Sequence, residues 1–598
     1  MVRPGPVLIL IAFLAPESAS AQATSRASLT SLGGEANSFS EHGSLSANGR
    51  KLAFMSLADN LALGDTNGEF DVFVRDLDTG ITTIASVGPL GVNGDGPSGY
   101  PAISADGNFV AFESLATNLV PGDTNGKRDV FVRDLVAGVT ERVSVSTGGG
   151  QSDDVATFWT TPAISSNGRY VAFESQAPNL VAIDTNNLPD VYLRDRLLGT
   201  TVRVSEAVQL PPAMPPPPYI ESNSSSGRPA MTPDGRFIVY QSAASNLFAP
   251  SDDTNGVNDV YLRDTLLGTT TLVSRSSGGA VGNGPSGVPS ISADGNFIAF
   301  DSSATNLVAG DTNGWGDVFL RNRATNTTTR VSVATGGAQG NRLSNGPAIS
   351  GDGRFIAFRS LATNLILIDA NESPDVYVHN RLTGVTRRVS VNSQNLEGND
   401  YSVWPSLSNT GRYIAYYSLA SNLVPNDLNQ SSDVFIQDQD IASAFTPFCF
   451  GDGSGTGCPC GNSGGPQRGC ANSTVASTGA LLTGLGNASI TVDTVVLTAT
   501  GVTGPTLFFQ GTGVITGGLG MVFGDGLLCA GGTIVRLGIA FPIGVTATFP
   551  AAPGTLHTTG MVVAPGARTY QGWYRDSLDF CTAATFNLTQ GLSTIWAP

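Results

Sequence analysis

The sequence predicts an all-β protein: a seven-bladed β-propeller closed by an N-terminal strand, followed by a disulfide-containing β-sandwich. Three observations predict it. A unit recurs seven times, at steps of 58, 61, 69, 58, 58 and 58 residues. The unit reads as four short strands joined by turns, the plan of a propeller blade. All six cysteines lie in the last quarter (Cys449, Cys458, Cys460, Cys470, Cys529, Cys581), so that part is built by other means than the repeat.

The second unit shows the plan. "YPAIS" (100–104) is a first strand and "ADG" a tight turn. "NFVAFES" is a second strand, "LATNLVPGDTNGKR" a long loop, "DVFVRDL" a third strand, and "VTERVSVS" a fourth. The seventh unit ends "DVFIQDQDIASAFTP" and has no Arg-Val-Ser strand. The N-terminus has one to spare, because "TSRASLTSLGG" (24–34) matches "TTRVSVATGG" (328–337). That strand should complete the last blade and leave no open sheet edge. The expected domains are a leader at 1–21, the propeller at 22–445 and the Cys-rich module at 446–598.

Composition narrows the function. Of 598 residues only 13% are charged, 73 are Gly, and the net charge is −17 without a basic run. That excludes a nucleic-acid binder and suits cation binding or solubility outside a cell. At the N-terminus, Arg3, the apolar stretch from Val7 to Ala15 and Ala19-Ser20-Ala21 read as a secretory leader cut before Gln22. No later run of about 20 apolar residues occurs, so a soluble, exported monomer is expected: secreted, periplasmic or at the cell surface.

"SADGNFVAF", "TPDGRFIVY" and "SGDGRFIAF", each followed by "DVFVRD" or "DVYLRD", resemble the WD-like repeats of TolB-type propellers. The resemblance covers most of 24–440 and implies the fold. For function it implies only a range: scaffold, docking platform or enzyme gate.

Every second-to-third-strand loop fits Asp-x-Asn-x-x-x-Asp. Hard cations such as Ca²⁺ take six to eight oxygens from carboxylates, amides and carbonyls. Alternating Asp and Asn in a Gly turn should point such oxygens inward. The four loops with Gly after Asn are the expected metal sites: Asp65/Asn67/Asp71, Asp123/Asn125/Asp129, Asp253/Asn255/Asp259 and Asp311/Asn313/Asp317. Those starting at Asp184, Asp369 and Asp427 lack the Gly. The loop resembles a shortened calcium loop of integrin-type propellers and lacks the distal Glu of an EF-hand. The competing reading is turn chemistry, since Asp and Asn also cap turns. Asn60, Asn118, Asn179, Asn246, Asn306, Asn364 and Asn422 recur upstream and suggest an internally bonded loop. Arg75, Arg133, Arg194, Arg263 and Arg321 end the third strands, where ion pairs or turn capping explain them.

Four cysteines fall within "CFGDGSGTGCPCGNSGGPQRGC" (449–470). Cys458 and Cys460 are too close to pair easily, so each is expected to bond Cys449 or Cys470, leaving Cys529 with Cys581. Zinc is the alternative for these thiols. The strands beyond read as a sandwich. "FCFGDGSGTGCPCGN", "LFFQG" and "YQGWYRD" are similar to a C-terminal module of large secreted bacterial proteins. That resemblance implies surface attachment or carbohydrate contact, with Trp573 and Tyr574 as core residues or contact aromatics. "GNSGGP" (461–466) mimics a protease nucleophile segment around Ser463, but His42, His379 and His557 lack the flanks of a catalytic base.

The expected function is therefore an exported, non-catalytic binding protein, offering an acidic propeller face to a protein or carbohydrate. Two alternatives are a glycan-active enzyme with its site in the central channel, and a purely structural coat protein. The inner strands "PAIS", "PSIS" and "PSLS" carry no acidic residue, which speaks against the enzyme.

Overall fold

The computed structural model describes residues 23–439 apart from 155–159, 208–220, 248–252 and 368. Further on it describes 446–450, 456–458, 468–470, 479–485, 496–502, 504–516, 519–523, 526–542, 546–550, 556–562, 566–575 and 586–596. The chain divides into two compact units, Met1–Gln439 and Asp440–Pro598. The expected leader and Ser463 lie outside the described residues.

The first unit is seven four-stranded antiparallel sheets. Blade 1 has strands Ser40–Leu45, Lys51–Ser56, Asp71–Asp76 and Thr82–Ile84. Blades 2 to 7 begin at Ser98–Ile103, Ala163–Ile164, Ser226–Met231, Ser286–Ile291, Ser344–Ile349 and Ser402–Leu407. The fourth strand of blade 7 is Ala23–Arg26, paired so that Ala23 faces Asp438 and Arg26 faces Phe435. The N-terminus thus closes the ring, as the repeat count requires. The seven first strands pack side by side in a closed circle around the axis.

The apolar positions of "F-x-A-F" and "D-V-F/Y" explain the packing between sheets. Successive strand residues point to opposite faces, and a blade is covered on both. Each blade stacks one aromatic of its second strand on one of its third, from Phe54/Phe73 at 5.8 Å to Phe358/Tyr377 at 6.1 Å. Such pairs contribute about 0.5–1.5 kcal/mol each beyond burial.

The second unit is a sandwich. Its larger sheet runs Thr446–Phe448, Gly591–Trp596, Gly566–Arg575, Thr506–Val514, Ala530–Ala540, with Phe586–Leu588 beside Gly566–Arg575. Leu481–Leu485, Val496–Thr500 and Thr546–Phe549 form a second sheet. Leu482, Leu497 and Ala547 of the smaller sheet bury against Phe508, Tyr570 and Tyr574 of the larger. Tyr574 is fully buried and Trp573 packs on Phe586 at 5.4 Å. Both are structural residues here rather than contact aromatics.

The disulfides correct one expected pairing. Cys449 bonds Cys529, and Cys458 bonds Cys470. The partner expected for Cys529 was Cys581. The sheet decides otherwise, because Cys529 directly precedes the long strand Ala530–Ala540 and lies beside Cys449 in one apolar cluster. Cys460 and Cys581 lie outside the described residues. The bonded thiols remove the zinc alternative for these four cysteines.

Candidate functional site

The acidic loops and the central channel are the two places where polar side chains gather, and they do different work.

In every loop the closing Asp starts the third strand and is held by a serine two residues beyond the neighbouring fourth strand. Ser86 donates to Asp71 at 2.5 Å, Ser144 to Asp129 at 2.5 Å, Ser332 to Asp317 at 2.6 Å, and Ser28, just past the closing strand, to Asp433 at 2.5 Å. The asparagine turns its amide N–H, not its oxygen, toward that Asp: Asn67 to Asp71 at 2.7 Å, Asn125 to Asp129 at 2.8 Å, Asn255 to Asp259 at 2.6 Å, Asn313 to Asp317 at 3.1 Å. Its oxygen accepts the N–H two residues on, as in Glu69 to Asn67 at 2.9 Å. The expected inward array of Asn oxygens is therefore not formed, and the asparagine serves the turn. The upstream asparagines, such as Asn60 and Asn118, accept an N–H from the connection that leads into their own blade's first strand and donate back to it.

A cation is nevertheless present in five loops, and it is an arginine of the fourth strand, two residues before the serine. Arg142 Nη1 lies 3.0 Å from Asp123 and 3.2 Å from Asp129. Arg330 Nη1 lies 3.2 Å from Asp311 and 3.1 Å from Asp317. Arg203 holds Asp184 and Asp190, Arg388 holds Asp369, Asp375 and Glu397, and Arg26 holds Asp427, Asp433 and Glu35. Among the described residues, the two groups of three acids that could embrace a metal are the last two, and each already encloses a guanidinium. At Asp123/Asp129 and Asp311/Asp317 the expected metal position is likewise filled by protein. Blades 1 and 4 differ, with Ile84 and Leu272 at the arginine position. The third-strand arginines turn to the fourth strand, as Arg194 does to Thr201 at 3.1 Å, and His379 takes the same role with Thr386 at 2.9 Å.

The channel was poorly legible in the sequence. In six blades the first strand carries a β-bulge between its two halves. The bulged residue has a left-handed backbone: His42 (φ 50°), Tyr100 (52°), Arg228 (52°), Val288 (44°), Gly346 (59°) and Trp404 (53°). Bulky residues adopt this conformation only where surroundings impose it, and bulges re-aim side chains. Here five of them, all but Gly346, line one cavity of about 500 Å³, to which Glu41, Thr160 and Tyr417 also contribute. The residue type at this position differs from blade to blade, whereas Asp, Asn and Ser of the loops recur in all seven.

One wall is aromatic. His42 stands 4.4 Å from Tyr100, 5.5 Å from Trp404 and 5.4 Å from Tyr417 between ring centroids. Burial pushes the His42 imidazole down to about 4, so it is neutral at pH 7. Arg228 is exposed in the same cavity.

The ends of four second strands supply a polar group to the backbone of the next blade, at its bulge or, in blade 3, just before its first strand. Glu113 accepts from the Thr160 N–H at 3.1 Å, Glu174 from Arg228 N–H at 3.2 Å, Gln241 from Val288 N–H at 3.3 Å, and Asp301 from Gly346 N–H at 3.0 Å. A bulge leaves backbone N–H groups without strand partners, and these side chains accept them. A side chain at Gly227 would displace Glu174 from this bond, because an added Cβ would fall 2.0 Å from Glu174 Oε2. Burial raises Glu113 to about 8 against the nearby Arg128, and raises Asp301 to about 6.

These raised values give a pH prediction. The folded state holds protons on Glu113 and Asp301 that the unfolded chain has released, so their contribution favours folding at low pH and is lost as pH rises through about 8 and about 6. The melting temperature in EDTA is expected to fall between about pH 7.5 and 8.5, above the midpoint near about 6.5 at which unfolded histidine titrates. Glu113→Gln should flatten that fall, and an unchanged slope would refute the assignment.

No known protein family matches the chain, and no curated protein does. Among solved structures it resembles an oligogalacturonate lyase in complex with manganese, with 13% identity, TM-score 0.41, 69% of this chain and 92% of that one. It also resembles TolB from Acinetobacter baumannii (14%, TM-score 0.31, 58% and 65%) and an acylaminoacyl peptidase (10%, TM-score 0.40, 67% and 51%). The likeness is one of fold alone. It does correct the expectation of a non-catalytic chain, since lyases and peptidases share this architecture. The inner-strand argument fails as well: the first strand of blade 1 includes Glu41, which lines the cavity, and Glu113, Glu174 and Asp301 of second strands bond backbone N–H groups at or just before the neighbouring first strands.

Proposed function

We propose that the chain is an exported binding protein that takes a glycan at the channel mouth. The observation that carries this reading is the His42/Tyr100/Trp404/Tyr417 wall facing Arg228 in one cavity. Flat aromatic faces accept the apolar face of a sugar ring, and a few convergent polar groups orient its hydroxyls. Disulfides in the second unit support a location outside the cytoplasm, in agreement with the leader read from the sequence. Among the described residues no helix is long and apolar enough to cross a membrane.

The test is a glycan array followed by titration of retained glycans. Trp404→Ala is expected to weaken binding at least tenfold, and Arg228→Ala to weaken it less and change the selectivity. Equal binding by both variants and the unaltered chain would overturn the reading. A second reading, in which the glycan is also cleaved, is favoured by the protonated Glu113 directly behind Thr160. Product analysis of any retained glycan separates the two.

A further inference from the structure

We infer that the loop of blade 4 binds a divalent cation of the Ca²⁺ type between Asp253 and Asp259, where five other blades place a guanidinium. Blade 3 is the direct comparison. There Tyr192 O–H bonds Asp184 Oδ2, Ser205 bonds Asp190 at 2.5 Å, and Arg203 Nη1 reaches Asp190 Oδ2 at 3.1 Å and Asp184 Oδ1 at 3.9 Å. Blade 4 repeats every part but the last. Tyr261 O–H bonds Asp253 Oδ2, and Ser274 bonds Asp259 at 2.5 Å. Leu272 stands where Arg203 stands.

The exchange leaves a specific atom without a partner. Asp253 is 5% exposed, and its Oδ1 is enclosed and has no hydrogen-bond partner among the described residues. It is the same oxygen that meets Arg142 at 3.0 Å in blade 2 and Arg330 at 3.2 Å in blade 5. A buried carboxylate oxygen without a partner calls for a cation. Both Asp residues offer hard oxygen donors, and water completes the shell, so the affinity is modest. Blade 1 also lacks the arginine, but its Asp65 shows no enclosed unpartnered oxygen. The inference is therefore confined to blade 4. It is independent of the glycan reading.

The test uses the full mature chain, equilibrium dialysis with labelled Ca²⁺, and melting in EDTA against a Ca²⁺ titration. Leu272→Arg should supply the missing guanidinium. The variant is expected to bind one Ca²⁺ fewer than the unaltered chain and to lose the matching part of the Ca²⁺-dependent rise in melting temperature. Should Leu272→Arg fail to fold, Asp253→Asn, which keeps the shape and removes the charge, is expected to lose the same ion. Equal Ca²⁺ stoichiometry in the variant and the unaltered chain, or no binding by either up to millimolar Ca²⁺, would overturn the inference.

Discussion

Removing residues 23–34 is expected to open the propeller. The deletion takes away the whole fourth strand of blade 7 and leaves Asp433–Asp438 as an unpaired edge. It also removes Ser28, which holds Asp433, and Arg26, the cation between Asp427 and Asp433. Arg26 has a side chain only 5% exposed, so the two acids would be stranded in a buried place. Losing one partner of a buried ion group costs about 3–5 kcal/mol, and an open edge invites association. We expect a lowered melting temperature, loss of a single cooperative transition and soluble aggregates on size exclusion. A synthetic peptide of residues 23–36, added in trans, should restore the transition by adding the strand back. A truncated chain that melts like the parent would show that the ring does not depend on its closing strand.

Arg388→Leu should be the most damaging single substitution away from the closing strand. The guanidinium is 4% exposed and lies 3.3 Å from Asp375, 2.5 Å from Glu397 and 3.9 Å from Asp369. Its removal leaves three acids facing one another, and a loss of roughly 3–5 kcal/mol is expected. The sign with pH follows. Burial already raises Asp375 to about 7 with the arginine present. Without it the acids take protons more readily still, so the deficit should shrink as pH falls below 7 and grow above it. Chemical denaturation at pH 5.5 and pH 8.5 reads both numbers. By contrast Leu272→Arg, the reverse exchange in blade 4, is expected to be neutral or stabilising in EDTA. Equal damage from both would mean that the loops carry no ion-pair lock.

The blades were legible because their signals are local. "ADG" turns, alternating apolar strands and the spare "TSRAS" segment each lie within a few residues, and together they fix seven sheets and the closure. The locks were not legible as locks. Arg142 is 13 residues from Asp129 and 19 from Asp123 in sequence, and only the fold of strand three onto strand four brings them together. The acidic loops therefore looked like places for an external cation. A signal was available: the fourth strand reads Arg-x-Ser at 26–28, 142–144, 203–205, 330–332 and 388–390, but Ile-x-Ser at 84–86 and Leu-x-Ser at 272–274. The channel was hidden by the bulge. An extra residue in six of the first strands breaks the period of two, so His42, Tyr100 and Trp404 fall out of the alternation that marks a strand.

The repeat thus invests its constant residues in locking the loops, and varies the residues at the channel mouth. Hydrogen exchange with and without a retained glycan tests that division most directly. The account predicts new protection in the first strands Ser40–Leu45, Ser98–Ile103 and Ser402–Leu407, and little change in the second-to-third-strand loops. Protection confined to those loops, or to the second unit, would contradict it.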